Sequence, residues 1–310
     1  MEQAVRHVLT YFAHFSYAPS FEDIYLFFPL KTTKKNLKHV LDALIERKLL
    51  ITKVIQLPHN IPFKIKNCRI YALPPYGIFI GKRTVKTIQS IRKIQKSLFF
   101  LKIVSLLPQV RLIGISGGLS MLHSGKRDDI DIFVIAQKGR LWTMRLILLL
   151  LAQLSGVRRR RTEKNPCDKV CFNLFFDEEY LEIPLHKRNE YVAHEILQMK
   201  PIVVKGEIYT RFLQENRWVF DFFPNARTIL ARMRQRKKKH LNISNKYETI
   251  THALFSPFEK WGDFVEFLCK KFERFLIEKH RTTEIITDTQ LWFFPHDVEE
   301  ELKKKNLIDS

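Results

Sequence analysis

Residues 115–136 read ISGGLSMLHSGKRDDIDIFVIA, and they join two apolar runs through a turn and a pair of acidic residues. The first run ends at Gly117-Gly118, and the second begins around Asp129 and Asp131. Alternate residues of a strand project from the same face, so these two carboxylates point the same way, about 7 Å apart along the strand. A divalent cation relieves the repulsion between such carboxylates, and Mg²⁺ shared with substrate phosphates is a common arrangement. The alternative is that both aspartates are merely solvated.

The Gly-Gly turn predicts a phosphate site beside the carboxylates. It lies where a strand ends and a helix begins, and exposed backbone N–H groups at such a point bind anions. Ser116 and Ser120 could add a hydroxyl, and Lys126 lies with Arg127 in the loop before the aspartates. Taken alone, a Gly-Gly pair marks only a turn, and loop cations are often only solvated.

The order of strand, Gly-Gly, spacer and D-x-D in a strand resembles the nucleotidyltransferase superfamily that includes DNA polymerase beta. In this chain the order is Gly117-Gly118, ten residues, then Asp129-Ile130-Asp131. The pattern is most similar to small stand-alone nucleotidyltransferases whose signature ends in DDID followed by apolar residues. The resemblance covers residues 111–177, and it implies an α/β (α+β) nucleotidyltransferase fold with a mixed sheet.

The same resemblance implies a reaction, the transfer of NMP from an NTP to an acceptor with release of pyrophosphate. Asp129 and Asp131 would hold Mg²⁺ or Mn²⁺, and the backbone of Gly117 and Gly118 would bind the triphosphate. In the family, three carboxylates hold two metal ions, and the third carboxylate comes from a neighbouring strand. Positioning and neutralisation of phosphate charge lower the barrier in such reactions.

The third carboxylate has no clear counterpart in this chain. The matching strand reads CFNLFF, and its best-aligned polar residue is Asn173. An amide oxygen can ligate a metal, but it brings no negative charge and cannot accept a proton as a base. Asp168 and Asp177-Glu178 lie at the ends of that strand. Three alternatives stay open: an active enzyme with an unusual third ligand, nucleotide binding without turnover, and a non-catalytic relative.

Length and charge bound the class of protein. The chain has 310 residues. A single hydrophobic core usually serves a shorter chain, so two or three domains are expected. Its 53 Lys and Arg residues against 32 Asp and Glu give a formal charge of +21. Such a charge favours a polyanionic partner such as nucleic acid. A highly charged surface without that partner is the alternative.

Cysteine usage and hydropathy favour a cytoplasmic protein without a membrane partner. The four cysteines form no C-x-x-C pair, which is typical of reduced thiols. The N-terminus, MEQAVRHVLTYFAHFS, lacks the order of a signal peptide. The most apolar segment, 141–157, contains Arg145 and falls short of the about 20 apolar residues that a span needs, so we expect a helix buried on a sheet.

Residues 1–78 resemble a winged helix-turn-helix module, three helices followed by two short strands. The predicted elements are residues 4–15, 21–28 with Ser20 as N-cap, 34–50, 51–57 and 69–73. Lys48 departs from the resemblance, because a glycine usually stands there. The third helix of such domains often enters the DNA major groove, and near its start lie Lys34, Lys35, Lys38 and His39. The alternative is that the module only packs against the next domain or a protein partner.

Residues 79–200 are assigned to the nucleotidyltransferase domain and 201–310 to a C-terminal helical region. The predicted strands are 110–116, 130–136 and 171–176, and the predicted helices are 83–107, 119–123, 141–154, 189–200, 207–223 and 257–280. We expect the aromatic and aliphatic stripe of the last helix to lie in a core; it comprises Trp261, Phe264, Val265, Leu268, Phe272, Phe275 and Leu276. The chain has two basic runs, from Arg158 to Arg161 and from Arg232 to Lys239. They are either solvated or lie along a nucleic-acid backbone.

Three functional hypotheses follow. The first is a Mg²⁺-dependent nucleotidyltransferase that acts on a nucleic acid, a protein or a small molecule. The second is a catalytically degenerate relative that acts as a nucleic-acid-binding regulator, which the charge, the N-terminal module and Asn173 favour. The third is a toxin-like transferase that modifies a partner protein.

Overall fold

The computed structural model describes residues 1–55, 68–160, 163, 165–237, 259–279, 281, 283–293 and 298–308, with the side chains of all of these except 232, 234–237 and 259–261. In these residues the chain is a mixed α/β protein around a six-stranded mixed sheet, which confirms the predicted class at that level. None of the described helices combines the length and apolarity that crossing a membrane requires.

The N-terminal part follows the predicted order of three helices and two strands. These elements are α1 (Glu2–His14), α2 (Phe21–Leu26), α3 (Lys34–Glu46) and the antiparallel strands β1 (Ile51–Ile55) and β2 (Cys68–Ala72). Ser20 caps α2 as predicted. Its hydroxyl accepts from the N–H of Asp23, and the Asp23 carboxylate accepts from the N–H of Ser20, so two N–H groups at the start of the helix are satisfied.

The remaining elements build the sheet and its cover. In chain order they are α4 (Ile78–Ser105), β3 (Val110–Ile115), α5 (Gly117–Ser120), β4 (Ile130–Ala136), α6 (Leu141–Leu154), β5 (Val170–Asp177), α7 (Glu190–Gln198), β6 (Lys200–Val204), α8 (Ile208–Glu215), α9 (Val219–Phe222), α10 (Thr228–Lys237), α11 (Glu259–Glu278), β7 (Ile285–Ile286), β8 (Gln290–Trp292) and α12 (Val298–Lys304). The strand order is β6-β3-β4-β5-β8-β7. Only β4 and β5 run parallel among these neighbours.

The two faces of the sheet are covered by different helices. On β4, Ile132 and Val134 belong to the apolar cluster with α4 and α6, whereas Phe133 and Ile135 belong to the cluster with α1–α3 and α7–α9. Alternation along the strand therefore places Asp131 on the second face, with the N-terminal helices and α7. The N-terminal module and the sheet domain share this cluster, so they are packed against each other.

The C-terminal region differs from the helical region that we expected. Strand β6 extends the sheet beside β3, and β8 pairs with β5. The predicted helix at 207–223 is broken into α8 and α9 at Asn216, whose buried amide donates to the carbonyls of Leu181 and Phe212. Strands of two to five residues are too short to show a recognisable periodicity. A sequence pattern also does not reveal which side chain will form hydrogen bonds to residues outside its own helix.

The stripe on α11 is exposed, so the prediction that it lies in a core is wrong for its described side chains. Phe264 is 56% exposed, Phe272 54% and Phe275 71%. Other residues of the helix meet the sheet domain: Cys269 and Ile277 pack against the apolar cluster that includes α6, and the Glu266 carboxylate accepts from the backbone N–H groups of Trp142 and Thr143 at the start of α6. The side chain of Trp261 lies outside the described residues.

Candidate active site

The two aspartates of the D-x-D pair lie together at the start of β4. Asp129 precedes the strand, and Asp131 is its second residue. One carboxylate oxygen of each lies within 4.8 Å of the other and of the Cys171 sulfur on the neighbouring strand β5. The site therefore has two acidic ligand groups on one face of the sheet, next to a thiol.

Asn173 reaches this site through a bulge in β5. Phe172 pairs with Ile132 and Leu174 with Phe133, which leaves Asn173 as the extra residue of the parallel ladder. A bulge redirects side chains locally. The Asn173 amide donates to a carboxylate oxygen of Asp131 and its carbonyl accepts from the Cys171 thiol at 2.7 Å. Asn173 thus holds Asp131 in position.

The Gly-Gly turn lies against Asp131. Gly117 has a φ of +58°, and a Cβ there would lie 2.5 Å from the Asp131 Oδ2. Both the left-handed backbone and the close approach require glycine at this position. The N–H of Ser116 donates to the Asp131 carbonyl at 3.0 Å, which ties the turn to β4.

Ser120 and Lys126, the two side chains that were also predicted to contact phosphate, are less suited to that contact. The Ser120 hydroxyl is buried and donates to the Gly117 carbonyl at 2.7 Å, so it stabilises the turn itself. Lys126 is exposed in the loop before the aspartates and does not line the cavity at the carboxylates. Ser116, Gly117 and Gly118 do line it.

One arginine of the basic run enters the site. Arg159 forms an ion pair with Asp129, and its Nη1 lies 3.6 Å from the Cys171 sulfur. Its backbone N–H donates to the carbonyl of Val170, which fixes the loop beside β5. Arg160 is exposed. Arg161 and the basic side chains of the run from Arg232 to Lys239 lie outside the described residues.

A carboxylate that the sequence did not indicate lines the cavity beside Asp131. Glu195 of α7 shares this lining with Asp131 and Asn173 and lies close to the Gly117 backbone. The α7 pattern NEYVAHEILQ could have given a hint, because Glu195 stands between the buried residues His194 and Ile196. An acidic residue within an apolar helix face commonly has a partner or a function.

Burial and neighbouring negative charge raise the pKa of several groups in the site. Burial, followed by the negative charge of Asp129, raises the pKa of Asp131 to about 7. Burial, followed by the charge of Asp131, raises the pKa of Glu195 to about 7. Burial and the same aspartates raise the pKa of the Cys171 thiol to about 12. Near neutral pH the site therefore carries a neutral thiol and acidic groups poised between the protonated and ionised forms.

The acidic residues at the ends of β5 lie in other networks. Asp168 pairs with Lys93 at 3.0 Å and with Lys96 at 2.5 Å. Asp177 accepts from the backbone N–H groups of Gly139 and Glu179. Neither belongs to the ligand group of Asp129 and Asp131 among the described residues.

The cavity at the carboxylates has a volume of about 240 Å³ and is walled partly by the N-terminal module. Tyr11, Phe12, Phe15 and Tyr17 line it together with the turn, Asp131, Asn173 and Glu195. Arg83 of α4 ties that module to the loop after the turn: it donates to the Tyr17 hydroxyl and to the Leu122 carbonyl, both at 2.8 Å.

The donor set fits a hard divalent cation. Carboxylate and amide oxygens are the groups that Mg²⁺ and Mn²⁺ prefer. Asp129 and Asp131 form one candidate ligand group, and Asp131 also lines the cavity together with Glu195 and Asn173. Comparisons of the chain with protein-family models, with curated proteins and with solved structures find no match.

Proposed function

We propose that this chain is a divalent-cation-dependent nucleotidyltransferase of the polymerase-beta-like fold with an N-terminal winged-helix-like module. The observation that carries the proposal is the close approach of Gly117 to Asp131, which brings a left-handed glycine turn into the same cavity as one of the paired aspartates. A glycine turn beside paired carboxylates suits a polyphosphate with its cation.

Each group has a role in this reaction. Asp129 and Asp131 would hold Mg²⁺, which when bound neutralises charge on the phosphates, and Ser116, Gly117 and Gly118 border the space for the triphosphate. The acceptor oxygen forms a bond to the α-phosphorus, the bond to the bridging oxygen breaks, and pyrophosphate leaves. Glu195 is the carboxylate placed to take the proton of the acceptor, a task that Asn173 cannot perform.

The test is transfer of label from [α-³²P]NTP in the presence of Mg²⁺ or Mn²⁺, together with NTP binding. We expect Asp131→Asn and Asp129→Ala to reduce transfer at least about a hundredfold, because each removes a metal ligand. Asp128→Asn is the matched control, since Asp128 is exposed and accepts from the Gly125 N–H. A wild-type protein that neither transfers label nor binds NTP would falsify the proposal.

A second candidate is a nucleic-acid-binding regulator that does not transfer nucleotides. The specific observation in its favour is the exposed side of α3, where Lys35, Lys38 and His39 face solvent. The ion pair of Arg159 with Asp129 also supports it, because an arginine already neutralises one of the two aspartates. Nucleic-acid binding that persists in Asp131→Asn, combined with no transfer by the wild type, would favour this candidate.

A further inference from the structure

The cavity at the carboxylates has two chemically different sides. One side is polar and consists of the Gly117 turn, Asp131, Asn173 and Glu195. The other side is aromatic and comes from the end of α1 and the turn that follows it. A ligand that fills the cavity therefore has an anionic or cation-bearing part and a flat apolar part.

Phe15 is the most exposed aromatic side chain of that wall. Tyr11, Phe12 and Tyr17 are 3–4% exposed, whereas Phe15 is 37% exposed. The Phe15 ring is held by Tyr11, with centroids 5.4 Å apart. The Phe15 backbone is held as well, because its N–H donates to the Phe12 carbonyl at 3.1 Å. A ring that is fixed and still partly exposed at the mouth of a cavity is suited to stacking.

We propose that Phe15 forms one face of a stacking site for the base of the nucleotide whose phosphates lie at Gly117-Gly118. This inference rests on the nucleotidyl-transfer function proposed above. The polar side of the cavity accounts for phosphate and cation, and a nucleobase is the flat apolar group attached to them. The wall belongs to the N-terminal module, so that module contributes to nucleotide binding as well as to any contact with a partner.

The polar groups beside the aromatic wall indicate that the site discriminates only weakly between nucleobases. The amide of Gln198 donates to Glu195, and Lys86 lies 2.8 Å from the Nε2 of His123. Gln198 and His123 line the cavity, and both are engaged with other groups of the protein. Stacking tolerates every base because each has a π-face, whereas discrimination needs hydrogen bonds to base edges. ATP, GTP, CTP and UTP should therefore bind within about tenfold of one another.

The experiment compares the affinity of Mg²⁺-ATP with that of Mg²⁺-tripolyphosphate, which has the phosphates but no base. We expect Phe15→Ala to weaken ATP binding roughly tenfold to a hundredfold and to leave tripolyphosphate binding unchanged. Phe15→Trp should retain ATP binding, since it keeps a stacking surface. Phe99→Ala is the matched control, because Phe99 on α4 is 76% exposed and does not line the cavity.

Several results would overturn the inference. Equal affinity of Phe15→Ala and wild type for ATP would do so, as would equal losses for ATP and tripolyphosphate. Weakened binding of a tyrosine-containing peptide with unchanged ATP binding would assign the wall to a protein acceptor instead. A wild-type protein that binds neither ATP nor tripolyphosphate would contradict the proposed function itself, which separates that failure from a failure of the stacking site.

Discussion

Burial raises the pKa of both Asp131 and Glu195, and these shifts make the stability of the protein depend on pH. A carboxyl group whose pKa is higher in the folded than in the unfolded chain contributes stability at low pH that is lost as the pH rises towards its folded pKa, here about 7. The buried histidines His123 and His194 act in the opposite sense, because burial lowers their pKa. A variant that lacks one of the two carboxylates separates the contribution of the carboxyl group to the pH dependence from that of the histidines.

We predict that Glu195→Gln gains stability relative to the wild type as the pH rises from 5 to 8 in EDTA. The gain should be on the order of 1–3 kcal/mol, because one pKa unit corresponds to about 1.4 kcal/mol. Urea unfolding at each pH measures it. Glu46→Gln on the exposed side of α3 is the control and should show no such trend. A difference between Glu195→Gln and wild type that does not change with pH would contradict the prediction.

Arg159 competes with a divalent cation for Asp129, since both neutralise the same carboxylate. We predict that Arg159→Ala binds Mn²⁺ more tightly, by about threefold to tenfold, because the attraction between charges a few ångströms apart near a protein surface is on the order of 1 kcal/mol or more. Titration calorimetry measures the affinity. Arg160→Ala, which removes an exposed neighbour, should have little effect. Weaker Mn²⁺ binding in Arg159→Ala would instead make the guanidinium a supporting group of the site.

The acidic pair and the glycine turn could be predicted from the sequence because they are local. Asp129 and Asp131 follow the two-residue period of a strand, and Gly117 stands at a strand end. Glu195 could not be predicted in this way, because only the packing of α7 on the sheet brings it to Gly117. The position of Asn173 depends on a bulge, which a single sequence does not reveal.

Among the helices and strands, the bounds of the long and strongly buried ones are predicted most accurately. Strand β4 and helix α6 have the predicted bounds, since each is long and strongly apolar. The helix before β3 begins earlier than predicted, at Ile78, and α5 comprises Gly117–Ser120 where residues 119–123 were expected. The strands β6 and β8 add to the sheet through partners distant in sequence, so their own residues carry little signal.

The break between α8 and α9 yields a prediction about stability. Asn216 is fully buried; it donates to the carbonyls of Leu181 and Phe212 and accepts from the N–H of Ile183 at 2.8 Å. Asn216→Ala leaves the Leu181 carbonyl and the Ile183 N–H unpaired, so we expect a loss of about 2–4 kcal/mol in the free energy of unfolding. Urea denaturation measures it. Asn36→Ala, at an exposed position of α3, is the control; losses equal in both variants would show that the buried bonds contribute nothing particular.

At the scale of the whole molecule, the N-terminal module is part of the site as well as a candidate partner surface. Its α1 end walls the cavity, and Arg83 links Tyr17 to the loop after the glycine turn. The side of α3 that carries Lys35 and Lys38 is exposed. If the proposed function holds, the same module would contact the nucleotide through α1 and a polyanionic acceptor through α3, which would place both reactants of a transfer on one body.

The net charge of +21 and the exposed lysines of α3 lead to a prediction about salt dependence. Each lysine that neutralises a phosphate adds about 0.9 to the slope of log affinity against log salt for duplex DNA and about 0.7 for single strands. We predict that the Lys35→Ala/Lys38→Ala double variant binds single-stranded RNA or duplex DNA more weakly and with a slope reduced by about one to two. Fluorescence anisotropy from 50 to 300 mM KCl measures both quantities.

The matched control is the double variant Lys82→Ala/Lys102→Ala, which removes two exposed lysines of α4. It should have the same slope as the wild type. If both double variants lower the slope equally, the charge acts through the whole surface and α3 is not the contact helix. If the wild type shows no binding at 50 mM KCl, a nucleic-acid acceptor is excluded and the acceptor is a protein or a small molecule.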